Sequence, residues 1–331
     1  MNKPIAITMG EPAGVGGELT IKAWRVRKEE NLSPFFVIDC PERLKAIDPS
    51  LPVQQIKTSK EASEVFTDAL PVLPLQLKEK PVLGQLNSAN AQSVIESIEL
   101  AVELCLEGQA SAVVTNPIHK AALYETGFNH PGHTEFIADL CAKEKGQHIT
   151  PIMMLACEEL RVVPLTIHIP LKDVAASISQ ELIVEKCRII HQALQNDYKI
   201  KTPRIAVTGL NPHAGENGTI GKEDAEIIVP ALEALKEEGI QVSGPHSADT
   251  LFHKEARAQY DIAVCMYHDQ ALIPIKTLDF HGGVNVTLGL PVIRTSPDHG
   301  TALDIAGTSQ AHAESFINAI KHAAQVVENR A

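Results

Sequence analysis

The sequence is poor in aromatic residues and has no long apolar run. Phe, Trp and Tyr make up 4% of the 331 residues, although 44% are hydrophobic, so we expect a core of aliphatic and small side chains. No segment reaches the roughly 18 apolar residues of a membrane span. The N-terminal segment 1–12 also lacks the apolar stretch of a signal peptide. We therefore expect no membrane partner.

Basic residues and paired cysteines are scarce as well. The 29 Lys and Arg residues stand against 41 Asp and Glu residues, and the net charge of −12 argues against nucleic acid as a partner. The six cysteines form no CxxC pair, which is typical of reduced thiols in a cytoplasmic protein. An anionic substrate would then need local lysine, arginine or a metal ion.

Strand-type apolar runs alternate with segments of helical period along the whole chain. The apolar residues of 87–106 recur at helical spacing, and Asn87 or Ser88 could cap that helix. The runs 152–156 and 161–166 flank a short polar turn and predict a hairpin. The alternation predicts an α/β fold, and the length predicts two lobes.

A glycine-rich turn at 10–17 follows the first predicted strand and precedes a predicted helix at 18–26. This order invites a dinucleotide-binding interpretation, but a fingerprint that starts at Gly14 would need a glycine where Leu19 stands. A tight strand–helix connection is the alternative. Little can be placed in 41–80 beyond short strands.

Polar side chains are densest between residues 261 and 307, at the ends of strand-type runs. One run leads to His268 in a predicted turn, a second carries Asn285, and Gly300 opens a predicted helix. This arrangement is typical of a binding cleft at the strand ends of an open α/β sheet.

Three histidines share one setting, because each follows an apolar strand. His168, His213 and His268 end the segments VVPLTIH, RIAVTGLNPH and DIAVCMYH. If these strands lie in one sheet or in facing sheets, the imidazoles converge. Three neutral imidazoles suit a divalent ion such as zinc and leave room for substrate. Hydrogen-bonded loop histidines are the alternative interpretation.

Cationic and amide side chains lie near the same strand ends. Lys276, Asn285 and Arg294 could bind an anion, and arginine suits bidentate capture of carboxylate or phosphate. Any one of them alone could be an ordinary surface or turn residue. At Gly300 the backbone could approach a ligand closely, because glycine has no Cβ, or it could simply begin a helix.

The motifs resemble those of a known family. RTSPDHGTALDIAG at 294–307 resembles the nucleotide-binding loop of the isocitrate and isopropylmalate dehydrogenase superfamily. Within it, the chain resembles the 4-hydroxythreonine-4-phosphate dehydrogenases nearly end to end. The motifs that carry this are GEPAGVG at 10–16, GHTEF at 132–136, LNPHAGE at 210–216, ADTLF at 248–252, MYHDQ at 266–270 and GVNVTLGLPVIRTSPDHGTA at 283–302.

The resemblance implies a two-lobed α/β/α fold with a cleft between the lobes. It assigns 1–130 plus 290–331 to a nucleotide-binding lobe and 131–289 to a metal, substrate and dimerisation lobe. It implies NAD or NADP as cofactor, one divalent zinc, magnesium or cobalt ion per subunit, and a homodimer with its active site at the interface. The location implied is cytoplasmic.

The resemblance also implies roles for individual residues. Lys276 or metal-bound water would remove the substrate proton. The implied metal ligands are His168, His213 and His268; the substrate contacts are His133, Thr134, Lys276, Asn285 and Arg294; Asp249 reaches the neighbouring subunit; and His299, Gly300, Thr301, Ala302 and Asp304 contact the cofactor.

The implied reaction is the NAD(P)-dependent oxidation of 4-phosphohydroxy-L-threonine in pyridoxal phosphate biosynthesis. Its product, 2-amino-3-oxo-4-(phosphohydroxy)butanoate, decarboxylates to 3-amino-2-oxopropyl phosphate. A sister dehydrogenase for erythronate or threonate 4-phosphate is an alternative. A metal-dependent hydrolase or phosphotransferase is a more distant one, against which the nucleotide loop argues. A non-catalytic phospho-acid-binding protein is a third.

Overall fold

The computed structural model describes residues 3–331 and divides into two compact units. The first unit comprises 3–151 and 290–329 together with residue 331, and the second comprises 152–289 together with residue 330. The chain therefore leaves the first unit after residue 151 and returns to it at residue 290.

The boundary predicted at 130 lies too early in the chain. Residues 131–151 belong to the first unit, because Phe136 and Ile137 are buried in the same apolar cluster as Phe128 and Val113. The first unit resumes at residue 290. The functions assigned to the two lobes stay predictions.

The described residues form twelve strands, which confirms the alternation expected of an α/β chain. They are β1 (Ile5–Thr8), β2 (Phe35–Asp39), β3 (Val53–Gln55), β4 (Leu70–Pro74), β5 (Val113–Val114), β6 (Ile152–Ala156), β7 (Arg161–Pro164), β8 (Ile205–Thr208), β9 (Val242–His246), β10 (Ile262–Cys265), β11 (Val284–Leu288) and β12 (Arg294–Pro297).

The α-helices alternate with these strands. They are α1 (Gly16–Arg25), α2 (Pro41–Ile47), α3 (Ala62–Val65), α4 (Ala91–Leu106), α5 (Lys120–Tyr124), α6 (His133–Lys145), α7 (Leu171–Ser177), α8 (Gln180–Tyr198), α9 (Val229–Glu237), α10 (Ala248–Leu251), α11 (Lys254–Arg257), α12 (His268–Leu278) and α13 (Glu314–Arg330). Short 3-10 turns and one π-helical turn, Asp224–Ile228, complete the secondary structure.

The sheet of the first unit is parallel throughout. Its strand order is β3-β4-β2-β1-β5-β12, and all the pairings in this series run parallel. Parallel strands are normally covered on both faces, so they are apolar along their whole length. The sequences IAIT in β1 and FFVID in β2 follow this rule, and every residue of both strands is buried.

The sheet of the second unit is mixed. Its order is β11-β6-β7-β10-β8-β9, in which β6 pairs antiparallel with both β11 and β7. The β6–β7 pair confirms the predicted hairpin. The strands β7, β10, β8 and β9 are mutually parallel neighbours, so their carboxyl ends lie along one edge.

Several local predictions are confirmed and others are wrong. Asn87 accepts a hydrogen bond from the Ala89 amide in the 3-10 turn before α4, as a capping residue should. Helix α6 starts at His133, and Gly132 is its N-cap residue. Residues 41–80 contain α2 and α3, which lack the length to show a clear period.

Two corrections concern candidate site residues. His268 is the first residue of α12 rather than part of a turn, whereas Asp249 lies in the short helix α10. Gly300 does not open an α-helix: Ala302 has a left-handed backbone conformation and precedes only the 3-10 turn Leu303–Ile305. Four- and three-residue elements carry too little periodicity to be recognised in a sequence.

The core of each unit is mainly aliphatic, as the composition predicts. The largest fully buried side chains include Phe35, Phe36 and Phe316 in the first unit, and the rest are mostly Ile, Leu and Met. All six cysteines are free thiols, and four of them, Cys40, Cys141, Cys187 and Cys265, are buried. No helix within residues 3–331 combines the length and apolarity that crossing a bilayer would require.

Candidate active site

The three candidate metal-binding histidines follow three neighbouring strands of the second unit. His168 lies in the loop after β7, His268 starts the helix after β10, and His213 lies in the 3-10 segment after β8. Because β7, β10 and β8 are adjacent and parallel, the three residues leave the sheet at the same edge. Three side chains can bind one ion only if the fold brings them to the same place, and this topology brings the three histidines to one edge of the sheet.

Two of the three rings lie close together. The ring centroids of His168 and His268 are 6.0 Å apart. The Nδ1 atom of His268 lies 2.7 Å from Oδ1 of Asp269, so a proton on Nδ1 would be donated to the carboxylate. Such a carboxylate contact fixes the tautomer and leaves Nε2 with its lone pair, as in many metal-binding histidines.

His213 has an unusual backbone. Five consecutive residues, His213 to Asn217, have positive φ angles, and only one of them is glycine. The buried carboxylate of Asp224 accepts hydrogen bonds from the amides of Leu210 and Asn211 at the start of this segment, at 2.9 and 3.2 Å. Sparsely populated backbone conformations of this kind are held by their surroundings and often occur at functional sites.

The three histidines do not form a closed coordination sphere. Within residues 3–331, no group of three or more His, Cys, Asp or Glu side chains is arranged to hold a metal ion. Two observations fit a divalent ion: the three histidines follow neighbouring parallel strands, and the rings of His168 and His268 lie close together. The ring of His213 does not complete a three-ligand group with them. The three-histidine site stays a prediction.

A buried cation lies in the first unit at the start of β12. Arg294 is 3% exposed and donates a hydrogen bond from Nη2 to Oγ1 of Thr115, 2.7 Å away. Burial lowers the pKa of Arg294 to about 10, and the negative charge of Glu135 acts in the opposite direction. The guanidinium nevertheless stays charged at neutral pH.

His133 is held neutral near this cation. Burial lowers its pKa well below the usual range, and the positive charges of Arg294 and Lys120 add to the effect. The residue as a whole is half-buried, but Nε2 is fully buried and has no hydrogen-bond partner. The pKa responds to the surroundings of the ring nitrogens, so the neutral form dominates at pH 7.

The amino end of α6 adds to the attraction for an anion. Gly132 provides no side-chain cap, and His133 and Thr134 are the first two helical residues. The first amides of a helix lack intrahelical partners and attract negative charge. The uncapped helix, the charged Arg294 and the neutral His133 together suit a carboxylate or phosphate.

The remaining candidate substrate residues belong to the second unit. Asn285 lies in β11, opposite Leu155 of β6, and its buried Oδ1 has no hydrogen-bond partner. Lys276 lies in the last turn of α12, with Nζ 5.4 Å from the centre of the Phe280 ring. The hydroxyl of Ser247 donates a hydrogen bond to the exposed carboxylate of Asp249.

The candidate cofactor loop contains one glycine that no protein contact explains. A Cβ added at Gly300 would meet no atom within 4 Å. His299 and Asp304 are exposed, whereas Thr301 and Ala302 are half-buried. An exposed loop with an open backbone at Gly300 is compatible with close approach of a ligand.

Sequence reasoning missed the residues that hold these side chains in place. Thr115 orients Arg294 and stands at the polar exit of β5. Asp224 holds the His213 segment, and Glu18 contacts Gly307 in the candidate cofactor loop. The polar strand exit was a usable signal for Thr115. The other two act across distances that a sequence does not display.

Both units carry polar side chains at the ends of parallel strands, which places the chain in the class of α/β proteins that bind small ligands there. The model of one family, described as pyridoxal phosphate biosynthetic protein PdxA, matches residues 32–323. The chain belongs to this family, and the predicted resemblance is confirmed.

Named relatives are similar over nearly their full length. A 4-hydroxythreonine-4-phosphate dehydrogenase of Methylorubrum populi is 50% identical, over 100% of this chain and 96% of the relative. A protein of the same name from Caulobacter vibrioides is 48% identical, over 99% of each chain.

Solved structures share the fold. The crystal structure of 4-hydroxythreonine-4-phosphate dehydrogenase from Klebsiella pneumoniae has a TM-score of 0.87 at 36% identity and covers 98% of this chain and 100% of its own. A terephthalate 1,2-cis-dihydrodiol dehydrogenase from Burkholderia xenovorans has a TM-score of 0.65 at 26% identity, with 98% of each chain covered.

Proposed function

We propose that this protein oxidises 4-phosphohydroxy-L-threonine with NAD or NADP as the hydride acceptor. The observation that carries the proposal is the charged, buried Arg294 beside the neutral His133 at the uncapped start of α6. This group suits a phosphate or carboxylate, and the substrate contains both. The full-length relatives named for this dehydrogenase activity support the choice of substrate.

Each candidate side chain has a chemical role in this proposal. Arg294 binds an anionic group through two parallel N–H donors, and the first amides of α6 assist it. The partnerless Oδ1 of Asn285 accepts a hydrogen bond from the substrate amino group. Lys276 is the candidate for the residue that takes the proton of the substrate hydroxyl.

His168, His213 and His268 would hold a divalent ion, with zinc, magnesium and cobalt as candidates. A bound divalent ion supplies Lewis acidity, which lowers the pKa of a coordinated hydroxyl. The 6.0 Å approach of two rings and the carboxylate contact of His268 support this assignment. The chain's own part is to orient these imidazoles and to present them as neutral donors.

The cofactor would lie against residues 299–304. His299, Gly300, Thr301, Ala302 and Asp304 are the proposed contacts, and the open backbone at Gly300 supports them. A bound nicotinamide would supply the hydride acceptor, and the oxidised product would be 2-amino-3-oxo-4-(phosphohydroxy)butanoate. This β-keto acid loses carbon dioxide to give 3-amino-2-oxopropyl phosphate.

We further propose a cytoplasmic homodimer in which Asp249 reaches the site of the neighbouring subunit. The exposure of this carboxylate on α10 leaves it available for such a contact.

A comparison of substrates tests the proposal. The purified protein, supplied with metal, should reduce NAD or NADP with a higher kcat/KM for 4-phosphohydroxy-L-threonine than for erythronate 4-phosphate or threonate 4-phosphate. The competing four-carbon acids carry a hydroxyl in place of the amino group. A clear preference for either of them would replace the proposed substrate with that acid and keep the reaction class.

A further inference from the structure

The glycine-rich segment 10–17 packs against the protein itself. The amide of Val15 donates a hydrogen bond to the carbonyl of Thr301, at 3.1 Å. A Cβ at Gly14 would lie 2.8 Å from that carbonyl oxygen and 3.2 Å from Cβ of Thr301. Glycine is therefore required at position 14 so that the segment can approach the candidate cofactor loop.

The first helix holds the next part of the same loop. The Glu18 carboxylate accepts a hydrogen bond from the amide of Gly307, and Nζ of Lys22 donates to the carbonyls of Ser309 and Ala311, at 2.9 and 2.6 Å. Residues i and i+4 lie on one face of a helix. Two side chains on one face of α1 thus bind the backbone of 307–311 through three hydrogen bonds.

A third contact comes from the segment before α4. The Gly84 amide donates to the carbonyl of Ala13 at 2.8 Å, and a Cβ at Gly84 would lie 3.0 Å from the carbonyl oxygen of Leu303. The side chain of Leu83 lies 3.0 Å from the position that a Cβ of Gly307 would take. All of these residues belong to the first unit.

We propose that Glu18 and Lys22, with the glycine-rich segment, are positioning residues that set the affinity for the nicotinamide cofactor by fixing the loop 299–311. The inference rests on the proposed cofactor contacts at 299–304. The loop has one 3-10 turn and positive φ angles at Ala302 and Ser309, so it has little regular structure of its own. Its conformation depends on what it packs against.

The test compares Glu18→Ala with Glu18→Gln, which keeps an acceptor oxygen for the Gly307 amide. Trp24→Phe is the matched control, because it removes a buried hydrogen bond of α1, from Nε1 to the carbonyl of Phe66, that does not involve the loop. Hydrogen exchange of the amides of 303–311 is measured without cofactor. Binding of the reduced cofactor is measured by fluorescence, and KM values are measured for cofactor and for substrate.

Glu18→Ala should increase exchange in 303–311 and weaken cofactor binding roughly tenfold, which corresponds to about 1.4 kcal/mol. The substrate KM should stay near the wild-type value, Glu18→Gln should restore most of the affinity, and Trp24→Phe should change neither measurement. Unchanged hydrogen exchange in Glu18→Ala would overturn the proposal that Glu18 fixes the loop. Increased exchange with unchanged cofactor affinity would overturn the proposal at its other step, by showing that the ordered loop does not bind the cofactor.

Discussion

Nη2 of Arg294 donates a hydrogen bond to Oγ1 of Thr115 across the β12–β5 pair of parallel strands, at 2.7 Å. The contact fixes one end of a guanidinium that is 3% exposed and remains charged at neutral pH. A charge in such a position is costly unless it is paired. This arrangement is the basis of the anion-binding role proposed for Arg294.

Replacement of Arg294 by lysine should raise the KM for the phosphorylated substrate while the KM for cofactor changes little. Lysine keeps the charge but loses the planar fork that binds an anion at two points. Truncation of a buried charged contact costs about 2–5 kcal/mol, so we expect a KM increase of at least about thirtyfold.

Arg43→Lys is the control for this substitution. Arg43 is also a buried arginine of the first unit, paired with Asp39 and 4% exposed, but it has no proposed substrate contact. It should lower thermal stability without the selective effect on substrate KM. An unchanged substrate KM in Arg294→Lys would remove Arg294 from the binding site.

Protonation of His133 should make the protein less stable in mild acid. Its pKa is lowered in the folded state, so below about 6.5 the unfolded chain takes up a proton that the folded protein does not. This contribution is absent above the unfolded-state pKa and grows as the pH falls towards the lowered folded-state pKa. The slope is about 1.4 kcal/mol per pH unit for one proton.

The measurement is the thermal midpoint of wild type and His133→Gln between pH 5 and 8. The variant should lose less stability than wild type below the unfolded-state pKa, since it has no imidazole to titrate. Parallel curves for the two proteins would show that His133 is not held neutral by the fold.

Loss of any one of the proposed metal ligands should reduce both metal content and turnover. His168→Ala, His213→Ala and His268→Ala each remove one of three proposed protein donors, and chelation of the wild type should abolish activity that zinc, cobalt or magnesium restores. Elemental analysis of the purified variants separates metal loss from a purely kinetic effect.

His253→Ala is the matched control for His268→Ala. His253 belongs to the same unit and lies 2.8 Å from the carboxylate of Glu255, much as His268 lies 2.7 Å from Asp269. The His253→Ala variant should keep wild-type metal content and wild-type activity. If the three ligand variants also retained wild-type metal and turnover, the three histidines would not be metal ligands.

Subunit mixing tests whether Asp249 acts across a dimer interface. Asp249→Ala and His268→Ala should each be nearly inactive, because every site in either homodimer lacks one group. In a mixed dimer one site receives both intact groups, so random mixing should restore about a quarter of the wild-type activity if the interface is symmetric.

Light scattering at the working concentration must show dimers in each preparation. Absence of recovered activity after verified subunit exchange would place Asp249 in its own subunit's site or outside any site. A fully active monomer would contradict the dimer itself.

Sequence pattern predicted the larger elements of the fold because their periodicity is long enough to read. The helix after Asn87 and the β6–β7 hairpin both lie where the hydrophobic spacing predicts them. The elements that it missed, such as α3 and α10, have four residues each. The first unit extends to residue 151 because Phe136 is buried in its core, and hydrophobic spacing does not indicate which of two cores buries a side chain.

The candidate site likewise contains features that the sequence predicts and features that only the folded structure displays. The placement of the three histidines after parallel neighbouring strands follows from strand recognition plus topology. The left-handed run from His213 to Asn217 contains only one glycine, so the residue types do not predict five consecutive positive φ angles. The contact between Glu18 and Gly307 joins residues 289 positions apart, so only the folded structure displays it.

Product stoichiometry distinguishes the proposed oxidation from hydrolysis of the phosphate ester. The purified, metal-supplied protein is incubated with 4-phosphohydroxy-L-threonine and NAD or NADP, and reduced cofactor, carbon dioxide and 3-amino-2-oxopropyl phosphate are quantified together. We expect equal amounts of all three, formed more slowly by Arg294→Lys at low substrate concentration. Release of inorganic phosphate without reduced cofactor would contradict it and identify a hydrolase instead.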